Sequence, residues 1–114
     1  MITAAEVLAF WFADGPDAFR EAWFKRDDAF DAEIRARFGA SLGPAREGAL
    51  DAWAETPEGA LALLVLLDQF PRNIHRGSAE AFACDPHARA IAQQAVLARG
   101  FDRALTPTQR VFLY

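Results

Sequence analysis

The sequence is poor in the residues that build sheets and in the pairs that staple small domains. It has four valines, four isoleucines and four threonines against 25 alanines, so strong helix formers abound while the β-branched residues that suit strands are scarce. An all-α protein is the expectation. Cys84 is the single cysteine; it excludes an internal disulfide, leaves stability to packing, and points to a reducing compartment. The longest apolar run, Ala60 to Leu67, lies between polar neighbours and is far short of the roughly 20 residues that cross a bilayer. The opening residues lack the basic segment and apolar stretch of a signal peptide, and the chain reads as cytoplasmic. Lysine is nearly absent too, Lys25 standing against eleven arginines. The standard catalytic signatures, from phosphate-cradling glycine loops to His-Glu-x-x-His, are missing, and no cofactor is assigned.

What is present is one core's worth of chain: 114 residues, 53% hydrophobic and 25% charged, with a formal charge of -4. The length fits a single helical domain over residues 1–114. Residues 1–60 carry a net charge of -6 and residues 61–114 a net of +2. An acidic chain without a basic stripe argues against nucleic-acid binding. The more basic second half suits an anionic ligand, or docking between the halves.

Caps and stripes mark the helices. Thr3 and Glu6 have capping-box spacing ahead of Val7, Phe10 and Trp11, which predicts a helix over 4–13. Asp27 and Asp28 open a second, with Phe30, Ile34 and Phe38 as its stripe and Gly39 as its C-terminal cap. Gly43-Pro44 begins a short helix with Leu50 and Trp53. Thr56-Pro57 opens the apolar central helix, the most buried element expected, which Pro71 is predicted to end. Residues 72–77 then read as an irregular connection. Ser78 caps a short helix holding Phe82, Asp85 caps a helix starting at Pro86, and Gly100 ends it. Thr106-Pro107 starts the last helix. Short connections between these elements are compatible with antiparallel helical hairpins stacked in the tetratricopeptide manner. Ending on Val-Phe-Leu-Tyr without a polar cap predicts a domain lacking its C-terminal helices, with a homo-oligomer partner as one way to cover the exposed end.

The polar run from Asp68 to Arg76 follows directly on the central helix, so its groups need partners. In a structural reading Asp68 pairs with Arg72, Arg72 and Arg76 satisfy the last helix carbonyls, and Asn73 makes a turn. In a functional reading Arg72, His75 and Arg76 form a pocket for a carboxylate or phosphate, oriented by Asp68 and Gln69. Cys84, Asp85 and His87 match no zinc spacing, and no metal is expected. Among three tryptophans and ten phenylalanines, most belong to a core. Trp11, Phe12 and Phe24 are candidates for an aromatic groove, since adjacent Trp-Phe pairs cannot share one narrow stripe.

Leu67-Asp68-Gln69-Phe70-Pro71-Arg72-Asn73-Ile74-His75-Arg76-Gly77, then Ala81-Phe82-Ala83-x-Asp85 and Arg110-Val111-Phe112-Leu113-Tyr114, resemble the bacterial domain-of-unknown-function family 924. Phe10-Trp11-Phe12 and Trp23-Phe24 also fit it. The resemblance implies a cytoplasmic bacterial protein with a tetratricopeptide-like, right-handed array of about six to seven helices, and carries no reaction, substrate or cofactor. Family members continue past the equivalent of Tyr114, and residues there would complete a site with Asp68, Gln69, Arg72, Asn73, Arg76 and Arg110. Three functions follow: a binding module for a peptide or small anionic ligand, a hydrolase-like enzyme with Asp68 as base or orienting group, or a purely structural motif.

Overall fold

The computed structural model describes residues 2–15, 18, 20–23 and 25–113. Among them there is no strand, and the protein is all-helical. Five α-helices have seven or more residues: α1 (Ala4–Trp11), α2 (Asp28–Phe38), α4 (Pro57–Leu64), α6 (Asp85–Gln93) and α7 (Pro107–Leu113). Two have five: α3 (Leu42–Arg46) and α5 (Phe70–Ile74). Turns of 3-10 helix link several of them. No helix among the described residues is long and apolar enough to cross a membrane.

The caps act where the sequence places them. Thr3 Oγ1 accepts from the Glu6 N–H, Asp27 from Phe30, Thr56 from Gly59, Ser78 from Glu80 and Thr106 from Gln109. At α7 the box is complete, because Gln109 Oε1 also accepts from the Thr106 N–H at 3.0 Å. Each bond satisfies a backbone donor that the first helical turn leaves without a partner. Gly100 ends the α6 rod in a left-handed conformation, φ 63°, as a C-terminal glycine does.

α4 is the centre of the molecule. Ala60 through Leu67 are all buried, and α1, α6 and α7 pack around this helix. Beside it lies an aromatic cluster: Phe10 stacks on Phe30 at 5.3 Å between centroids, Phe38 on Phe70 at 4.8 Å, and Phe112 meets Trp23 edge-on at 4.9 Å. Such offset and edge-to-face contacts add to the burial of large apolar surfaces.

Gly39 is the C-cap of α2, its N–H on the Arg35 carbonyl, though with right-handed helical angles, φ -55° and ψ -42°, and the chain runs on through a 3-10 turn into α3. Two local expectations are corrected, at α3 and at Pro71. The α3 helix ends at Arg46, so Leu50 and Trp53 sit beyond it, Trp53 in the 3-10 turn Asp51–Glu55. Pro71 does not end the central helix. Residues Val65–Gln69 form a π turn in which the Phe70 N–H bonds the Val65 carbonyl, five residues back. A proline lacks its own N–H and crowds the carbonyl four residues earlier; the wider turn provides the room, and α5 continues to Ile74.

Candidate functional site

The π turn places the chemistry. The apolar run Ala60–Leu67 keeps the helix buried as far as Leu67, and the wide turn then brings Asp68 and Gln69 to the edge of the core. Asp68 Oδ1 accepts from Arg72 at 2.9 Å, one helical turn along, and its Oδ2 accepts from the Gln69 amide at 2.8 Å. Arg72 also lies 3.8 Å from Asp85 Oδ2 and 5.5 Å over the ring of Phe82, a cation–π arrangement. Burial pushes the Asp68 carboxyl above its ordinary value; Arg72 opposes the rise and Asp85 adds to it.

These residues line a cleft of about 260 Å³ between α4, α6 and α7. Its polar side is Asp68, Arg72, Asp85 and Arg89; its apolar side is Leu64, Ala88, Ala92, Phe112 and Leu113. Asp85 is not the cap expected of it, for it is the first residue of α6, and the residue before it, Cys84, makes no side-chain cap bond. Its carboxylate faces Arg72 instead, with Oδ1 buried and without a partner among the described residues. A second depression of about 440 Å³, lined by Trp23, Gln69, Asn73, Arg76 and Val111, shares Asp68, Arg72 and Phe112 with the cleft.

Asn73 and Arg76, which line the second depression, also reach α2. Asn73 Nδ2 donates to Asp31 Oδ1 at 2.8 Å, and Arg76 donates to both oxygens of Asp31 on α2. Burial alone would raise Asp31, but the hydrogen bonds from Arg76 and Asn73 outweigh it and hold the carboxyl low. Arg35 of α2 donates to the Ile74 carbonyl, the task expected of Arg72 and Arg76. These contacts tie α2 to α5. His75 follows α5 and its imidazole has no hydrogen-bond partner among the described residues. Arg110 Nε donates to the Asp102 carbonyl at 2.7 Å and lines neither depression. Of the expected pocket of Arg72, His75 and Arg76, the two arginines line the second depression together, Arg76 being also paired with Asp31 of α2, while His75 lines neither depression.

Other candidates fall into the core or onto separate pairs. Trp11 and Phe12 are buried among Trp23 and Phe112 and present no groove; α1 and the turn after it bury both sides of the pair. Phe24 lies outside the described residues. His87 pairs with Asp51 at 2.7 Å. Cys84 is buried and its thiol pushed up by that burial, against Arg46, which keeps the sulfur protonated. No group of three or more His, Cys, Asp or Glu that could hold a metal ion occurs among the described residues.

Arg89 is the residue that sequence reasoning missed. It is exposed, and no carboxylate pairs with it among the described residues. The signal was its place on α6, where Asp85, Ala88, Arg89 and Ala92 share one face at spacings of three and four.

No curated protein matches the chain. The chain is similar to a solved structure, a protein of unknown function, ATU0120, from Agrobacterium tumefaciens, with 45% sequence identity and a TM-score of 0.86. The match covers 97% of this chain and 60% of that one, so the chain spans well under two thirds of the relative's length. Residues 7–114 match the family described as bacterial protein of unknown function, DUF924. With that match over most of its length, the chain belongs to the DUF924 family.

Proposed function

We propose that the protein is a binding module whose cleft between α4, α6 and α7 receives the anionic group of a small ligand or peptide. The observation that carries this reading is the pair Arg72 and Arg89 lining one cleft together with Leu64, Ala88, Ala92, Phe112 and Leu113, Arg89 having its donors unused. An arginine fork matches carboxylate and phosphate oxygens in pairs. Small-ligand sites are concave and mostly apolar, with a few converging polar groups. The same reading takes the helices as antiparallel, tetratricopeptide-like hairpins in a right-handed array, supported by short connections between successive elements. It sets the module in the bacterial cytoplasm, supported by a buried, unpaired thiol at Cys84.

The test is an amide-shift titration with acetate, inorganic phosphate and short acidic peptides. Signals of Arg72, Ala88 and Arg89 are expected to move for at least one of these anions. The Arg72→Ala, Arg89→Ala double variant, shown to be folded by circular dichroism, is expected to lose the response. Saturable shifts elsewhere and none at the cleft overturn the reading.

Asp68 favours a second reading, that of a hydrolase-like enzyme. Its carboxyl sits at the cleft, pushed above its ordinary value by burial, where it could take a proton from a bound ligand, and the arginines would stabilise developing negative charge. Loss of ester or amide hydrolysis in Asp68→Asn with ligand binding retained is the expected result; unchanged hydrolysis sinks it.

A further inference from the structure

We propose that the cleft takes a small amphipathic monocarboxylate, its carboxylate against Arg89 and Arg72 and its apolar stem between Ala88, Ala92 and Phe112. The inference rests on the anion-binding reading above and adds the ligand's chemical class.

The charges of the cleft limit the ligand. Asp68 and Asp85 balance Arg72 and Arg89 in number, but Asp68 and Asp85 both lie on Arg72, at 2.9 and 3.8 Å. Arg89 is therefore the side that attracts an anion. A single negative charge meets Arg89 and the remaining Arg72 donors with modest repulsion from the two carboxylates. A phosphate dianion would double that repulsion in a partly buried setting, where Coulomb terms are strong.

The apolar lining sets the second half. Ala88 and Ala92 stand one turn apart on α6 and leave the space that larger side chains would occupy, while Leu64 and Phe112 bound it on the α4 and α7 sides. Ala88 and Phe112 are each 5% exposed, so the wall is firm core rather than loose surface. At about 260 Å³ the cleft lies at the small end of ligand sites and suits a short aliphatic stem. A free carboxylic acid and the C-terminal residue of a peptide both have this chemistry.

The test is calorimetric titration of the protein with acetate, hexanoate, hexanol, hexylamine, inorganic phosphate and N-acetyl-leucine. Each methylene buried favours binding, so hexanoate is expected to bind about tenfold or more tighter than acetate. Hexanol, hexylamine and phosphate are expected to bind no better than acetate. Hexanoate and N-acetyl-leucine are both supporting ligands, and whichever binds tighter separates a free acid from a peptide C-terminus. Ala92→Met is expected to fill the stem's space and abolish hexanoate binding, and Arg89→Ala to weaken it several-fold; Arg89 is exposed and unpaired, so that variant stays folded even where Ala92→Met does not. Equal affinity for acetate, phosphate and hexanoate overturns the amphipathic ligand but leaves the anion site standing. Tight hexanol binding overturns the carboxylate, and absence of binding by every anion overturns both readings.

Discussion

Arg76 and Asp31, 45 residues apart in sequence, meet at 2.7 Å through Nε and Oδ2, with a second bond of 3.2 Å from the same guanidinium. This two-pronged contact, with Asn73 as a third donor, fixes α5 against α2. It leaves Arg72, four residues earlier and within α5, as the arginine that faces the cleft.

Asp31→Asn is expected to destabilise the fold by about 1–3 kcal/mol at neutral pH, because Asn73 is buried and Arg76 loses its carboxylate. Asp31 titrates below its ordinary value, so its contribution is present above the unfolded-state pKa near ~3.9 and lost as pH falls through the folded one. Chemical denaturation of both proteins across pH checks this: the gap between them is expected to close in acid, and a gap constant down to the lowest pH overturns it.

Asp68→Asn is expected to behave in the opposite sense. Its folded carboxyl is held above the unfolded value, so ionisation works against folding, and the unfavourable effect appears as pH rises through the folded pKa. The variant should match or exceed the parent in stability at neutral pH, within about 1 kcal/mol, and lose that standing in acid. A large loss at neutral pH in urea melts would show that the Asp68–Arg72 pair braces the fold.

Gly59 tolerates no side chain. A carbon added there would lie 1.9 Å from the Trp53 carbonyl oxygen and 2.9 Å from Thr56 Oγ1. Both are fixed, the carbonyl by the backbone and the hydroxyl by its cap bond. Gly59→Ala is expected to cost more than about 3 kcal/mol or to prevent folding, read as loss of the cooperative thermal transition. A melting temperature near the parent's is the contrary result.

Trp11 is fully buried with its Nε1 lacking an acceptor among the described residues. Removing that donor offsets part of the lost volume. Trp11→Phe is expected to be the milder change, and Trp11→Ala to cost about 3–5 kcal/mol. Denaturant midpoints rank the two; equal losses would mean that the ring's volume contributes little.

Much of this architecture was legible because it is encoded locally. Thr3, Asp27, Thr56, Ser78 and Thr106 each carry an oxygen where a helix start needs an acceptor, and Ala60 to Leu67 is apolar on every side because every side meets another element. The misses are places where a neighbour decides. Pro71 reads as a terminator until a π turn makes room for it. Asp85 reads as a cap until Arg72 is seen beside it. Trp11-Phe12 reads as too broad for one stripe until α1 and its following turn are found buried together. For the site, Asp68 and Arg72 were visible as an i, i+4 pair, whereas the long-range contact of Arg76 with Asp31 and the position of Arg89 on the facing helix depend on packing that no local pattern records.

The wide turn at Val65–Gln69 acts as a phase shift. One residue more than the α-helical count turns everything after it by about 100° relative to an unbroken helix. Arg72 thereby faces Asp85 on α6, while Arg76, in the turn beyond α5, reaches Asp31 on α2. Shortening the turn by one residue would press Pro71 against the preceding carbonyls and swing Arg72 away from Asp85, so the bearing of the cleft's arginine is set by a single extra amide in the central rod.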